Sequence, residues 1–182
     1  MGRMVDCRGE SVTRKYWTDG GDVIGYRPYP GFLSPFRTAM SESAAKKYLT
    51  AADAKHISLP WCQVEEFVNV ENAGAEDLIL CRATFPAGEA HLFHYHPGRE
   101  EIIYVLEGQA EQWVGEEKKL LGPGEMALIP AGMPHMTFNP GPSTLKFLAI
   151  LNNARGEEPM VIDCFREEPW VSHFTPIEYP PV

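Results

Sequence analysis

Histidine is rare in this chain, six residues in 182, and three of the six fall within positions 91–96. In an extended strand alternate side chains share a face, so His94 and His96 project the same way with Tyr95 opposed. Two imidazoles on one face can grip one ion. Pro97, Gly98 and Arg99 then form a turn that lets the chain double back, and the returning segment opens with Glu100 and Glu101. A carboxylate at the head of that strand can join the two imidazoles in an arc of three donors. Which glutamate points inward depends on register, because a slip of one residue exchanges the faces. By the same alternation His91, three residues before His94, falls on the opposite face and reads as a surface or interface side chain.

The elements that would carry these residues are short. From about residue 64 the chain runs in strand-length stretches of β-branched, aromatic and aliphatic residues: VEEFVNV (64–70), LILCRATF (78–85), EIIYVLEG (101–108), AEQWVG (110–115), MALIP (126–130), PHMTF (134–138) and LKFLAIL (145–151). Gly and Pro, sixteen of each, punctuate them. Close, fairly regular turn signals with no sustained helical period predict an antiparallel sandwich or barrel. VIDCF (161–165) continues as a strand and residues 166–182 as a wrapping tail.

Glycines, a proline and further polar residues around this cluster form a pattern that resembles the cupin superfamily. The first motif of that superfamily, G-x5-H-x-H-x(3,4)-E-x6-G, is matched by Gly88, His94, His96, Glu101 and Gly108, and its spacing selects Glu101 over Glu100. The second, G-x5-P-x-G-x2-H-x3-N, is matched by Gly124, Pro130, Gly132, His135 and Asn139. The resemblance covers roughly residues 60–165. It implies an all-β fold, a cupin-type jelly-roll β-barrel (double-stranded β-helix), with one divalent metal held by His94, His96, Glu101 and His135.

Imidazole nitrogens with a carboxylate oxygen suit Fe, Mn, Ni, Co, Cu or Zn and suit Mg or Ca poorly. Iron is the favoured cofactor. Four protein ligands on a six-coordinate ion leave two neighbouring positions open, whereas tetrahedral zinc would be saturated. The leading functional expectation is a mononuclear iron oxygenase acting on a small apolar or aromatic molecule. Two alternatives stand beside it: a redox-neutral metal-assisted isomerase, epimerase or decarboxylase, and a non-enzymatic binding or sensing cupin. No separate catalytic residue is assigned.

Inward alternation also directs Leu92, Ile103, Val105 and Thr137 to the interior, with Trp113, Phe147 and Met126 as possible wall. The only basic residues on the predicted central strands are Arg82 and Lys146, with Arg99 at the turn, which argues against phosphosugars and small dianions. Gly108, Gly122, Gly124 and Gly132 read as turn residues of positive φ. Tyr104, Leu106, Met136 and Phe138 would face outward and need cover, from the other sheet's edge, the N-terminal arm or a second copy. A homodimer is expected.

Residues 1–56 read as an irregular N-terminal arm with a short helix near 41–55, and Met40 is a candidate native start. Residues 57–165 form the barrel. Residues 1–40 carry six Lys/Arg against four Asp/Glu, net +2, and residues 41–182 carry ten against twenty-one, net −11. The total of −9 leaves no cationic footprint for nucleic acid or anionic membrane. Cys7, Cys62, Cys81 and Cys164 lack disulfide or zinc-ribbon spacing, and no signal-peptide core precedes them, so reduced thiols and a cytoplasmic location are expected.

Overall fold

A computed structural model describes residues 46–156 and 159–173. Of the arm expected over residues 1–56, residues 1–45 with Met40 and Cys7 lie outside these residues, as do residues 174–182 of the expected tail. Of the helix expected near 41–55, the described part holds one 3-10 turn, Ala51–Asp53, where the Asp53 carboxylate accepts from the Thr50 N–H at 2.7 Å. Extended chain follows at once.

Among the described residues eleven strands make two antiparallel sheets. The six-stranded sheet has the order β1 (Lys55–Leu59), β2 (Cys62–Val68), β3 (Ile79–Phe85), β10 (Leu145–Leu151), β5 (Glu101–Glu107), β8 (Met126–Ile129). The five-stranded sheet has the order β11 (Ile162–Asp163), β4 (Ala90–Tyr95), β9 (His135–Phe138), β6 (Ala110–Val114), β7 (Glu117–Leu121). A four-residue helix, α1 (Trp170–His173), follows β11. The strands cross repeatedly from one sheet to the other, as a jelly roll requires. All seven predicted runs are strands. Two strands escaped the sequence reading, β1 (KHISL) and β7 (EKKLL), both with mostly exposed, polar side chains.

Alternation along each strand fills the space between the sheets with Ala83, Phe85, Ile103, Val105, Ala110, Leu121, Ile129, Leu145 and Phe147. Phe85 and Phe147 meet edge to face at a centroid distance of 5.1 Å and are at most 4% exposed. Burial of each such side chain stabilises the fold by roughly 1.5–3 kcal/mol. Phe147, Ile103 and Val105 are interior, as the sequence predicts. Gly108 joins β5 to β6 with φ +78°, and a Cβ there would stand 2.5 Å from the Thr144 carbonyl oxygen. Gly122, expected at positive φ, is not among the positive-φ glycines.

A second apolar cluster lies on the other face of the five-stranded sheet: Ala90, Leu92, Phe93, Trp113, Met136 and Cys164, with Tyr95, Phe138, Phe165 and Trp170 packed against it. This corrects the expected orientation of Leu92 and Trp113, which point out of the barrel. It also corrects the expected cover for Met136 and Phe138. Among the described residues Cys164, Phe165 and Trp170 pack with them, and Met136 is fully buried. Cys62, Cys81 and Cys164 are free, and burial pushes their thiols up to about 12, 12 and 11. No helix among the described residues is long and apolar enough to cross a membrane.

Candidate metal centre

His94 sits near the end of β4, His96 one residue beyond it, His135 opens β9, and Glu101 opens β5. His94 and His135 are cross-strand partners in the five-stranded sheet, whereas Glu101 pairs with Leu151 and Ile129 in the six-stranded sheet. The four donors therefore bridge the two sheets. The turn that makes this possible is pinned at His96, whose carbonyl accepts the N–H groups of Arg99 at 3.3 Å and Gly132 at 3.0 Å. The second of these bonds draws the β8–β9 loop, and with it His135, up to the end of β4.

One donor atom from each of His94, His96, Glu101 and His135 lies within 4.8 Å of every other. All four side chains are buried, none more than 5% exposed. Each imidazole directs Nδ1 at a backbone carbonyl: His94 at Leu92 (2.7 Å), His96 at Met160 (2.8 Å) and His135 at Met133 (2.9 Å). A carbonyl can only accept, so Nδ1 carries the proton in all three rings and Nε2 presents a lone pair to the centre. Outer hydrogen bonds of this kind fix tautomer and ring orientation in metal-ligating histidines.

One carboxylate oxygen, Glu101 Oε2, lies 2.8 Å from His135 Nε2 and 3.3 Å from His96 Nε2. Neither Glu101 Oε2 nor His135 Nε2 has a hydrogen-bond partner, although both are sealed from solvent. Such orphaned buried atoms cost free energy unless a cation lies between them. The donor chemistry, three nitrogens and one oxygen, is that of a first-row transition ion. The residues present fit such a group.

Without an ion, burial pushes the Glu101 carboxyl up, and protonated His135 and His96 rings donating from Nε2 would hold it down at about 2. That needs a second proton on each ring beyond the one on Nδ1. Burial and the neighbouring rings keep His94 neutral, well below its ordinary value. Burial works the same way on His96, yet Glu101 outweighs it and raises that ring overall. Arg99, only 1% exposed beneath the turn, opposes protonation of His96. Glu100, the glutamate that the motif spacing rejects, is exposed.

His91 departs from the sequence reading. Between His91 and His94 two residues of β4, Leu92 and Phe93, oppose one of β9, Met136, a β-bulge. The bulge turns Leu92 and Phe93 both outward and puts His91 on the inner face, where its ring stacks on His94 at a centroid distance of 3.5 Å. Strict alternation forbids this, and nothing in the residue types signals the extra residue.

Beyond His135 the inner face stays polar for one more row. Thr137 donates its hydroxyl to Gln112 Oε1 at 2.7 Å, and Gln112 Nε2 donates to the Trp113 carbonyl at 3.0 Å. Gln112 and Val114 are the cross-strand partners of Thr137 and His135. Both also line a cavity of about 270 Å³ bounded by β7 and β8, each the outermost strand of its sheet among the described residues. Its remaining walls include Leu121, Ala127, Lys118 and Lys119, while Met126, expected as interior wall, is 55% exposed opposite Tyr104 and borders the cavity from the outer face. The two lysines belong to β7 and so were missing from the count of basic residues on predicted strands.

Asn139, the last residue of the second motif, holds no donor toward the centre. Its amide nitrogen faces the carbonyls of Phe85, Pro86 and Ser143 at 2.9–3.0 Å and its oxygen accepts the Gly141 N–H at 2.9 Å. It ties the end of β3 to the β9–β10 loop.

The cupin domain family model matches residues 81–151. A germin-like protein of rice is 27% identical over 135 residues, covering 69% of this chain and 57% of that protein. Quercetin 2,3-dioxygenase of Bacillus subtilis is 29% identical over 73 residues, 40% of this chain and 22% of that enzyme. The solved structure of KdgF from Halomonas sp. superposes with a TM-score of 0.53 at 19% identity, over 60% of this chain and 94% of that one. The chain thus spans little more than half of the rice protein and under a quarter of the Bacillus enzyme. Motif spacing, strand order and the family-model match over β3–β10 agree, and residues 81–151 of the chain are a cupin domain.

Proposed function

We propose that this chain is a mononuclear metal-dependent oxygenase acting on a small apolar or aromatic organic molecule, with His94, His96, Glu101 and His135 holding one divalent ion, iron favoured. The observation that carries the metal reading is the bare 2.8 Å approach of Glu101 Oε2 to His135 Nε2, both buried. When bound, a redox-active ion in such a donor set supplies Lewis acidity, electron transfer and open positions for dioxygen and substrate. The protein's part is to hold three neutral imidazoles and one carboxylate in place and to exclude water. Phe85, Phe147, Val105 and Ile103 do the latter from within the barrel.

The cavity between β7 and β8 suits a small organic molecule in size, and Val114 and Gln112 connect its wall to His135 and Thr137 through adjacent strands. Lys119 at its rim would favour an acidic substituent, whereas the Lys118 ammonium is paired with Glu111 at 3.4 Å and lies over the Trp113 ring. Similarity to a quercetin dioxygenase over part of the chain supports an oxygen-using reaction. The test is oxygen uptake by protein loaded anaerobically with Fe(II), Mn(II), Co(II) or Ni(II), offered flavonols, catechols and aromatic carboxylates. Metal-dependent oxygen consumption with one of them is expected. Equal turnover without oxygen would overturn the reading in favour of a redox-neutral reaction.

The homodimer is likewise a proposal. On the outer face of the six-stranded sheet Leu106, Met126 and Leu128 are 37, 55 and 62% exposed, and β8 is the outermost strand among the described residues. A second copy meeting this face through its own β8 would cover the apolar groups and pair the edge in one isologous contact.

A further inference from the structure

We propose that His91 is a positioning residue for the centre: its ring, backed by Trp61, fixes the plane of His94 so that Nε2 of His94 faces the other three donors. This inference rests on the metal reading above and adds a residue that neither cupin motif contains.

Three rings form one pile. Trp61, in the β1–β2 turn, stacks on His91 at a centroid distance of 4.5 Å and an interplanar angle of 20°, and His91 stacks on His94 at 3.5 Å and 24°. Trp61 is itself held edge to face against Phe85 at 5.4 Å. The pile therefore runs from the hydrophobic core of the six-stranded sheet to a donor of the five-stranded sheet. A β-bulge is the cause. It moves His91 to the inner face and in the same stroke turns the Leu92 carbonyl to accept from His94 Nδ1 at 2.7 Å.

A histidine ring on a strand has two soft torsions. The Leu92 bond fixes the position of one nitrogen but leaves the ring free to swing about that contact. A flat neighbour 3.5 Å away removes the swing. His96 and His135 have no such stack; they meet other rings at interplanar angles of 37° or more. Neither ring nitrogen of His91 makes a hydrogen bond with a described residue, and His91 does not belong to the group of converging donors. The face of the ring, not its nitrogens, does the positioning.

The experiment uses Co(II) as the probe, with affinity read by chelator competition and geometry by the visible d–d bands. His91→Phe keeps the stacked face and should bind within about threefold of the unaltered protein with the same bands. His91→Ala should bind roughly 10–100-fold more weakly, with shifted or broadened bands, the usual cost of removing an outer partner of a ligand. Trp61→Ala, which leaves His91 in place without its backing, should fall between them and serves if His91→Ala does not fold. Unchanged affinity and spectrum in His91→Ala, or in Trp61→Ala where that is the variant available, would overturn the proposal. So would a loss in His91→Phe equal to that in His91→Ala, since a nitrogen would then be what matters. Failure of the unaltered protein to bind Co(II) would instead overturn the metal reading itself.

Discussion

Glu101 Oε2 and His135 Nε2 stand 2.8 Å apart, both closed off from water, and no hydrogen bond joins them. The reason lies on the far side of the imidazole, where Nδ1 is committed to the Met133 carbonyl at 2.9 Å. Two lone pairs face each other across the gap. A cation shared with His94 and His96 would turn this repulsion into attraction, and the four donors are compatible with one.

Glu101→Gln separates the two states. Its amide N–H can donate to His135 Nε2, so the metal-free variant should melt above the metal-free unaltered protein, by a few degrees for a gain of about 1 kcal/mol. Metal affinity should fall by at least about 100-fold, since the anionic donor is gone. Calorimetry of the two metal-free proteins and a metal titration check both signs. A variant less stable without metal and unimpaired with it would refute the arrangement.

Acid should destabilise the metal-free protein from about neutrality downward. Burial lowers His91 from 6.5 to about 3, so between those values the unfolded chain takes a proton that the fold refuses. Stability is therefore lost as pH falls below 6.5, at a cost of about 2 kcal/mol for this ring by pH 5. His94 acts in the same direction. Glu101, held at about 2, contributes stability above its ordinary 4.5 that disappears only on approach to 2. His96, being raised, opposes the trend, since its contribution is full in acid and fades as pH rises through its folded value. His91→Phe should flatten the decline between pH 7 and 5 in denaturant titrations, and an equal slope would contradict the burial argument.

Asn139→Ala should cost about 3 kcal/mol, because the carbonyls of Phe85, Pro86 and Ser143 lose their donor at once. Asn139→Asp should be worse, placing a charge against those oxygens. Gly108→Ala should cost at least about 2 kcal/mol from the left-handed backbone and the Thr144 oxygen together. Equilibrium unfolding measures each. A loss under 0.5 kcal/mol in any of them would mean that the loop relaxes away from the described geometry.

Light scattering should give the mass of two chains at micromolar concentration. Leu128→Glu, at the most exposed apolar position of β8, should reduce it to one without changing metal content. One chain in the unaltered protein would refute the proposed pairing.

The four donors and the barrel were legible because coordination constrains both residue type and spacing, and because interior strands advertise themselves through alternating apolar residues. Edge strands do not. In β7 the side chains of Glu117, Lys118, Lys119 and Leu120 are all exposed, so no apolar period marks it, and the lysines at the cavity rim went uncounted. The β-bulge defeated alternation over three residues, misplacing His91 and Leu92 together. For Met136 and Phe138 the outward facing was legible, but which segment covers them was not, since contact with residues 164–170 is a property of tertiary packing.

The bond from His96 Nδ1 to the Met160 carbonyl spans 64 residues and comes from beyond the last long strand. A chain stopped after Leu151 would keep every donor and both motifs, yet would lose the hand that aims one of them. The centre is thus no self-contained cassette: transplanting the motif-bearing stretch into another scaffold would carry over the ligands without the tether that orients His96.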